Sequence, residues 1–385
     1  MTTVRASSKA QSTDYDWNKL FQQSYYNNFK KGFPPLKEYW DGLSNSNRVT
    51  DLQPLSYGLD AILAMYETTD SLSYLEDAIA LTNNSIGKAQ VTADIAGNMF
   101  RLKDSYKGWI EEGGDSTSGI YHSETVLSEI YFFQYVTRLL KDIHKVPSLY
   151  KIRKFRNFYD QTLDFVETNI WDKWVKRGIR YANNKDNYLF LSRTHMASHW
   201  AYIAAELSFL TNSTARKTAY LAFVDLYNTK LENNFYKYDR YISWNQTWDT
   251  PKDKESPKND KDNNVQDVSH ANLIVAYIVE AYDLGLWKDS DAVHRIINTL
   301  KDKLWDPKDC LFRDNINGTM FQSGQKGSVG SFQADGFVKL TRYDSSLFEI
   351  YEKFVSCSRF LTGWNQHGQL FANLALSKKL LKELE

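Results

Sequence analysis

The sequence reads as an all-α protein, an (α/α) toroid or barrel of about six or seven helical hairpins with long active-site loops. Three observations carry this reading. An apolar helix-like run, a short polar turn and a second helix-like run recur along the chain. They appear at Leu59–Tyr66, ETTDS, Tyr74–Leu81; at Trp200–Leu210, TNSTA, Arg216–Leu231; and at Ala271–Leu284, GLWKDSD, Ala292–Leu304. A lone hairpin cannot bury its apolar stripe, so hairpins must stack and close on one another, and short turns make neighbours antiparallel. Apolar spacing of three and four holds through each long run, as in Tyr277, Ile278, Ala281 and Tyr282. Strand-like alternation is scarce, confined to Tyr188–Leu191, Tyr241–Trp244 and Met320–Ser323. A ring of hairpins leaves a central depression, where chemistry should be sought.

Taken in order, residues 1–14 are a polar tip expected to be disordered, and helical pattern begins at Trp17–Lys30. Helical runs follow at Leu55–Glu67, Leu72–Thr82, Ser123–Leu140, Lys151–Asn169, Met196–Leu210 and Arg216–Asn233. The last are His270–Leu284, Asp289–Lys303, Leu347–Leu361 and Gln366–Leu384. The polar run Pro251–Asn264, PKDKESPKNDKDNN, has no core-forming residue and reads as an exposed loop within one domain spanning 1–385.

Charge narrows the partners. The 47 basic and 47 acidic residues cancel, and no long basic tract occurs, which argues against nucleic acid and membrane surfaces. Aromatic residues make up 15%, with 11 Trp and 25 Tyr. They suit either sugar-ring platforms or the core of a large helical domain. No run reaches membrane-spanning length, and the N-terminus lacks the apolar stretch of a signal peptide. The expected location is secreted or periplasmic with a trimmed signal, or else cytoplasmic. Cys310 and Cys357 are the two cysteines and are able to pair.

Four segments concentrate reactive side chains. Gly108–Glu124, GWIEEGGDSTSGIYHSE, delivers Tyr121, His122 and Glu124 to the start of a helix, although Ser123 and its acidic neighbours also suit capping. Arg193–Trp200, RTHMASHW, sets His195 and His199 on one helical face. Zinc is not expected there, because the HExxH glutamate and a third ligand are missing. No cofactor is expected either. Asp267–Asn272, DVSHAN, offers Asp267 or Ser269 as N-cap and places His270 and Asn272 in the first turn. The helix dipole favours a neutral imidazole at that position. Gly324–Asp344, GQKGSVGSFQADGFVKLTRYD, reads as a long Gly-rich loop carrying Lys326, Lys339, Arg342 and Tyr343. A cation beside a tyrosine lowers the phenol's pKa and makes it a usable base.

Tyr, His, Asn and Arg without an obvious carboxylate pair suggest β-elimination on a uronic acid. In that reaction Asn, His or Arg neutralises the carboxylate while Tyr or His moves protons. RTHMASHW, DVSHAN and DGFVKLTRYD together resemble the (α/α)-toroid polysaccharide lyases, most nearly polysaccharide lyase family 38, whose members cleave glucuronan or mannuronate-rich alginate. The resemblance implies an anionic polysaccharide substrate. It implies His199 or His195 beside the carboxylate, His270 as a second cleft histidine, Tyr343 as the proton-transferring phenol and Arg342 as neutraliser. Thr194 stands where related lyases carry Asn, so Asn272 or Arg193 takes that place, and Tyr241 is a second candidate phenol. The remaining substrate-binding candidates are Lys339, Tyr121, His122 and Glu124. Rival readings are a uronyl C5-epimerase, a non-catalytic helical scaffold, and a glycoside hydrolase of uronyl oligosaccharides. The hydrolase would use a carboxylate pair drawn from Asp41, Glu124, Asp249, Asp267 and Asp335.

Overall fold

A computed structural model describes residues 15–27, 32–94, 104–113, 121–181, 193–247, 264–321, 327–357 and 364–384. Helices follow in the order α1 (Trp17–Tyr26), α2 (Leu36–Ser44), α3 (Leu52–Thr69), α4 (Leu72–Lys88), α5 (Val126–Lys145), α6 (Pro147–Lys151) and α7 (Arg153–Phe165). The rest are α8 (Lys173–Tyr181), α9 (Thr194–Leu210), α10 (Thr214–Asn234), α11 (Val268–Asp283), α12 (Ser290–Thr299), α13 (Leu347–Cys357) and α14 (Trp364–Leu384). Widened π turns at Val166–Asp172 join α7 to α8, and Leu300–Leu304 prolongs α12 in the same way.

Packing arranges these helices in two concentric layers. The inner wall runs α3, α5, α9, α11, a 3-10 stretch at Phe337–Arg342, and α14, which returns to α3 and closes the ring. Helices α4, α7, α10, α12 and α13 back this wall from outside, with α1 and α2 covering α14 and α3. An inner helix touches neighbours on several sides, so apolar residues all round it are buried. In α5, Ile130, Phe132, Phe133, Val136, Leu139 and Leu140 each expose none of their surface. Gly58 on α3 follows from the same packing: a Cβ there would lie 2.4 Å from the Trp40 ring of α2. The fold is therefore the all-α toroid the sequence predicts.

Polar contacts fix the direction of the inner helices. His195 and His270 meet near the starts of α9 and α11, while Lys141, Glu206 and Glu280 meet near the ends of α5, α9 and α11. The inner helices thus run parallel, and their N-termini open at one face, the mouth.

Several expectations change. Helix α2 was not anticipated, because Pro34, Pro35 and Gly42 obscure it. Ile242–Trp244 does form a strand, paired antiparallel with Phe235–Lys237. Met320 and Phe321 form none, and Tyr188–Leu191, residues 1–14 and nearly all of Pro251–Asn264 lie outside the described residues. The largest correction concerns the Gly-rich segment. Its second half is not a mouth loop but the sixth stave of the inner wall, held by Val338, Leu340 and Phe337, none of which is exposed. Asp314 anchors the first half, its carboxylate accepting the N–H groups of Gly327, Val329 and Gly330 as well as that of Phe321 just before the segment.

Cys310 and Cys357 are disulfide-bonded, with Cα atoms 6.2 Å apart and a sequence separation of 47. Closing a loop of that length restricts the unfolded chain by about 4 kcal/mol in the chain-entropy treatment. Reduction should therefore lower the urea midpoint substantially. Equal midpoints with and without reductant would show that the bond contributes little.

Candidate active site

The mouth is built from first-turn residues of the inner helices. Asp267 caps α11: its Oδ1 accepts the His270 N–H at 3.2 Å and the Ser269 hydroxyl at 2.6 Å. Its Oδ2 accepts from His270 Nδ1 at 2.6 Å and from Gln266 Nε2 at 3.3 Å. Burial alone would raise this carboxyl, but the His270 bond and charge, with Ser269 and the His270 N–H, bring it down to about 2. Every lone pair of Asp267 is occupied, so it orients His270 rather than reacting itself. The His270 side chain is 42% exposed, and its Nε2 is not engaged by Asp267.

Two further imidazoles stand behind His270. The His195 ring centroid lies 4.1 Å from that of His270, and His199 lies 4.2 Å from Tyr131 and bonds through Nδ1 to Gln134 Oε1 at 2.8 Å. Burial, then the nearby imidazoles, lowers His195 to about 2, and burial with His270 lowers His199 to about 3. Both rings are therefore neutral. Their folded pKa values lie below the unfolded value, so the unfolded chain binds the extra protons and stability is lost as pH falls below about 6.5. For His199 the loss between pH 6.5 and 4.5 is about 2 to 3 kcal/mol. His199→Gln should flatten urea-measured stability over that window by this amount. An unchanged slope would contradict the assignment.

Asp335 lies on the mouth side of the 3-10 stave. Its carboxylate accepts from Tyr135 OH at 3.1 Å, Gln369 Nε2 at 2.8 Å and Asn272 Nδ2 at 3.0 Å. Burial, joined by the charge of Asp60 and opposed by the Gln369 bond and Lys339, pushes it up to about 6. Burial and then the Asp335 charge raise the phenol of Tyr57, and Asp335 also acts on Tyr131, which places both rings around this carboxyl. Asn272 positions the segment, its Oδ1 accepting from Gly336 N at 2.8 Å and Phe337 N at 2.9 Å. A Cβ on Gly336 would lie 2.1 Å from the Asn272 carbonyl oxygen, so only glycine allows this approach.

The sequence candidates divide sharply. His270, His195, His199 and Asn272 come together at the mouth, and Arg193 stands at its rim, bonded to Gln246 Oε1 at 3.0 Å. Tyr343 and Arg342 do not join them. The Tyr343 hydroxyl donates to Asp283 Oδ1 and Arg342 Nη1 to Asp283 Oδ2, each at 2.6 Å. Asp283 ends α11, thirteen residues beyond His270, which is about 20 Å along the helix. Burial, followed by the Asp283 charge, also raises the Tyr343 phenol instead of lowering it. Lys339 is enclosed within the ring on Asp60 at 2.9 Å. Glu124 is buried under Lys173 and Arg177. Tyr241 stacks on Tyr238 beneath Lys303, against the outer layer. Tyr121 and His122 belong to the strand Tyr121–Ser123, and their side chains lie outside the described residues. Among the described residues no group of His, Cys, Asp and Glu is arranged to hold a metal ion.

Sequence reading missed Tyr57, Tyr131, Gln134 and Gln369. Each sits within a helical run, where it reads as core or surface. A polar residue recurring on an otherwise apolar stripe was the available signal.

Solved structures of similar architecture exist. That of the alpha-1,6-mannanase GH76A from Salegentibacter sp. HEL1_6 matches with TM-score 0.47 and 12% identity, covering 96% of this chain and 100% of its own. An inactive variant of the same enzyme in complex with alpha-1,6-mannotriose matches with TM-score 0.47 and 11% identity, covering 95% and 99%. No protein-family model and no curated protein matches the chain. The lyase resemblance falls. The phenol and guanidinium that the resemblance assigned to elimination, Tyr343 and Arg342, sit on Asp283 at the opposite end of α11 from the imidazoles. The glucuronan and alginate specificity inferred from that resemblance falls with it.

Proposed function

We propose that this chain is a polysaccharide-degrading enzyme that hydrolyses a glycosidic bond at the mouth of the toroid. One observation carries the reading: a half-exposed His270 is held through Nδ1 by the ionised Asp267, in the same mouth as Asp335, whose carboxyl burial pushes up to about 6. Hydrolysis needs one group to take a proton from water and another to give one to the departing oxygen, and His270, oriented by Asp267, and Asp335 supply the two. His270 Nε2 accepts the proton of the attacking water, whose oxygen bonds to the anomeric carbon. Asp335 protonates the glycosidic oxygen as the carbon–oxygen bond breaks. Tyr57, beside Asp335, offers a ring to the sugar.

The substrate is a polysaccharide without a requirement for negative charge, since Lys339 and Arg342 are already matched by Asp60 and Asp283. The disulfide supports a secreted or periplasmic location, where such bonds persist. Incubation with a panel of polymers, α-1,6-linked mannan among them, should release new reducing ends without new ultraviolet absorbance. Absorbance from a conjugated double bond, or no product from any polymer, would overturn the proposal.

A further inference from the structure

A cavity of about 540 Å³ opens at the opposite face of the ring, where the start of α1 meets the ends of α3 and α14. The length of α3 separates it from the mouth by about 25 Å. Its volume falls within the range of small-molecule sites and accommodates a disaccharide. We infer that it is a second, non-catalytic binding site for a neutral saccharide.

Three features support that occupant. Tyr15 lines the cavity and stacks on Trp17, with centroids 4.9 Å apart and planes 14° from parallel, an aromatic wall suited to the apolar face of a sugar ring. Trp17 is 2% exposed and its Nε1 has no hydrogen-bond partner among the described residues. The same holds for Asn18 Oδ1, which also lines the cavity. An unpartnered donor and an unpartnered acceptor on two lining residues match a ligand hydroxyl, which is both. Charge argues against an anion. Lys379 is matched by Asp70 and donates to Glu67 O, which leaves Lys378 and Lys382 against Asp16 and Glu383.

The test is saturation-transfer NMR and calorimetric titration of the full chain with maltose, cellobiose and α-1,6-mannobiose. Binding in the millimolar range is expected for at least one of them. It should weaken at least about tenfold in Tyr15→Ala and in Asn18→Leu and persist in His270→Asn, which alters only the mouth. The two far-face variants should keep wild-type circular dichroism and polymer hydrolysis. Binding that disappears in His270→Asn and survives both far-face substitutions would overturn the inference. So would binding of inorganic phosphate in place of the sugars, or no binding up to about 10 mM. Loss of hydrolysis bears on the mouth alone, so the two proposals fail independently.

Discussion

Asp335→Asn should lower kcat by about 10²- to 10⁴-fold while KM and the fold are nearly preserved, because the amide cannot give a proton to the departing oxygen. The pH profile adds a second readout. Asp335 must carry its proton to act, and its carboxyl is pushed up to about 6, foremost by burial. Activity of the wild-type chain should therefore decline as pH rises through about 6, and the residual activity of the variant should lose that limb. His270→Asn should produce a comparable loss of kcat, because the amide cannot take the proton of the attacking water. A variant at Asp335 with near-normal turnover would remove it from the mechanism and leave it as a wall residue of the stave. The two carboxyls also need not be equivalent. Asp267 works only through His270, so Asp267→Asn should spare part of the rate, whereas an acid group cannot be spared.

The largest stability effect is expected inside the ring. Asp60 exposes none of its surface and accepts from Lys339 at 2.9 Å, Gln369 at 2.9 Å, Asn373 at 2.8 Å and Arg138. Four elements of the inner wall are thus tied to one carboxylate. Burial opposes its charge, but Lys339 and Arg138 outweigh that and keep the carboxyl below its ordinary range. Asp60→Ala should cost about 3 to 5 kcal/mol, since it leaves Lys339 buried without a counter-charge. Arg138 would retain Glu67. Combining Asp60→Ala with Lys339→Met should recover part of that loss, because the stranded ammonium is gone. Urea unfolding of both variants tests this. A double variant no more stable than the single would place the cost in lost packing instead.

The architecture was legible because spacing of three and four is a local signal, and α5, α9, α10, α11 and α14 each display it over many residues. Boundaries moved by only a few positions where Asp267 or Ser213 supplies a cap. The mouth was half legible. His195, His199, His270 and Asn272 were recognisable because an imidazole or amide at the start of an apolar helix has no packing reason to be there. Arg342 and Tyr343 misled for a related reason. A cation next to a phenol suggests an activated base, yet the residue deciding their state is Asp283, sixty positions from Tyr343, and nothing local points to it. Asp335 was visible as one acid among several. Its distinction lies in Tyr135, Gln369 and Asn272, which three separate elements bring to it. Asp60 in GLDAILAM, a lone ion on an apolar stripe, was the available sign of an interior charge pair.

The sixth stave has a consequence for how the ring fails. Five sectors are spanned by α-helices of sixteen residues or more, whereas Phe337–Arg342 crosses its sector with six residues of tighter coil. Its outer cover, α13, ends at Cys357, whose sulfur is fastened to Cys310 beyond the end of α12. That clasp holds shut the weakest segment of the wall. With the sulfurs separated, amide exchange should quicken first in Phe337–Arg342 and last in α5, so the toroid unzips from one known seam.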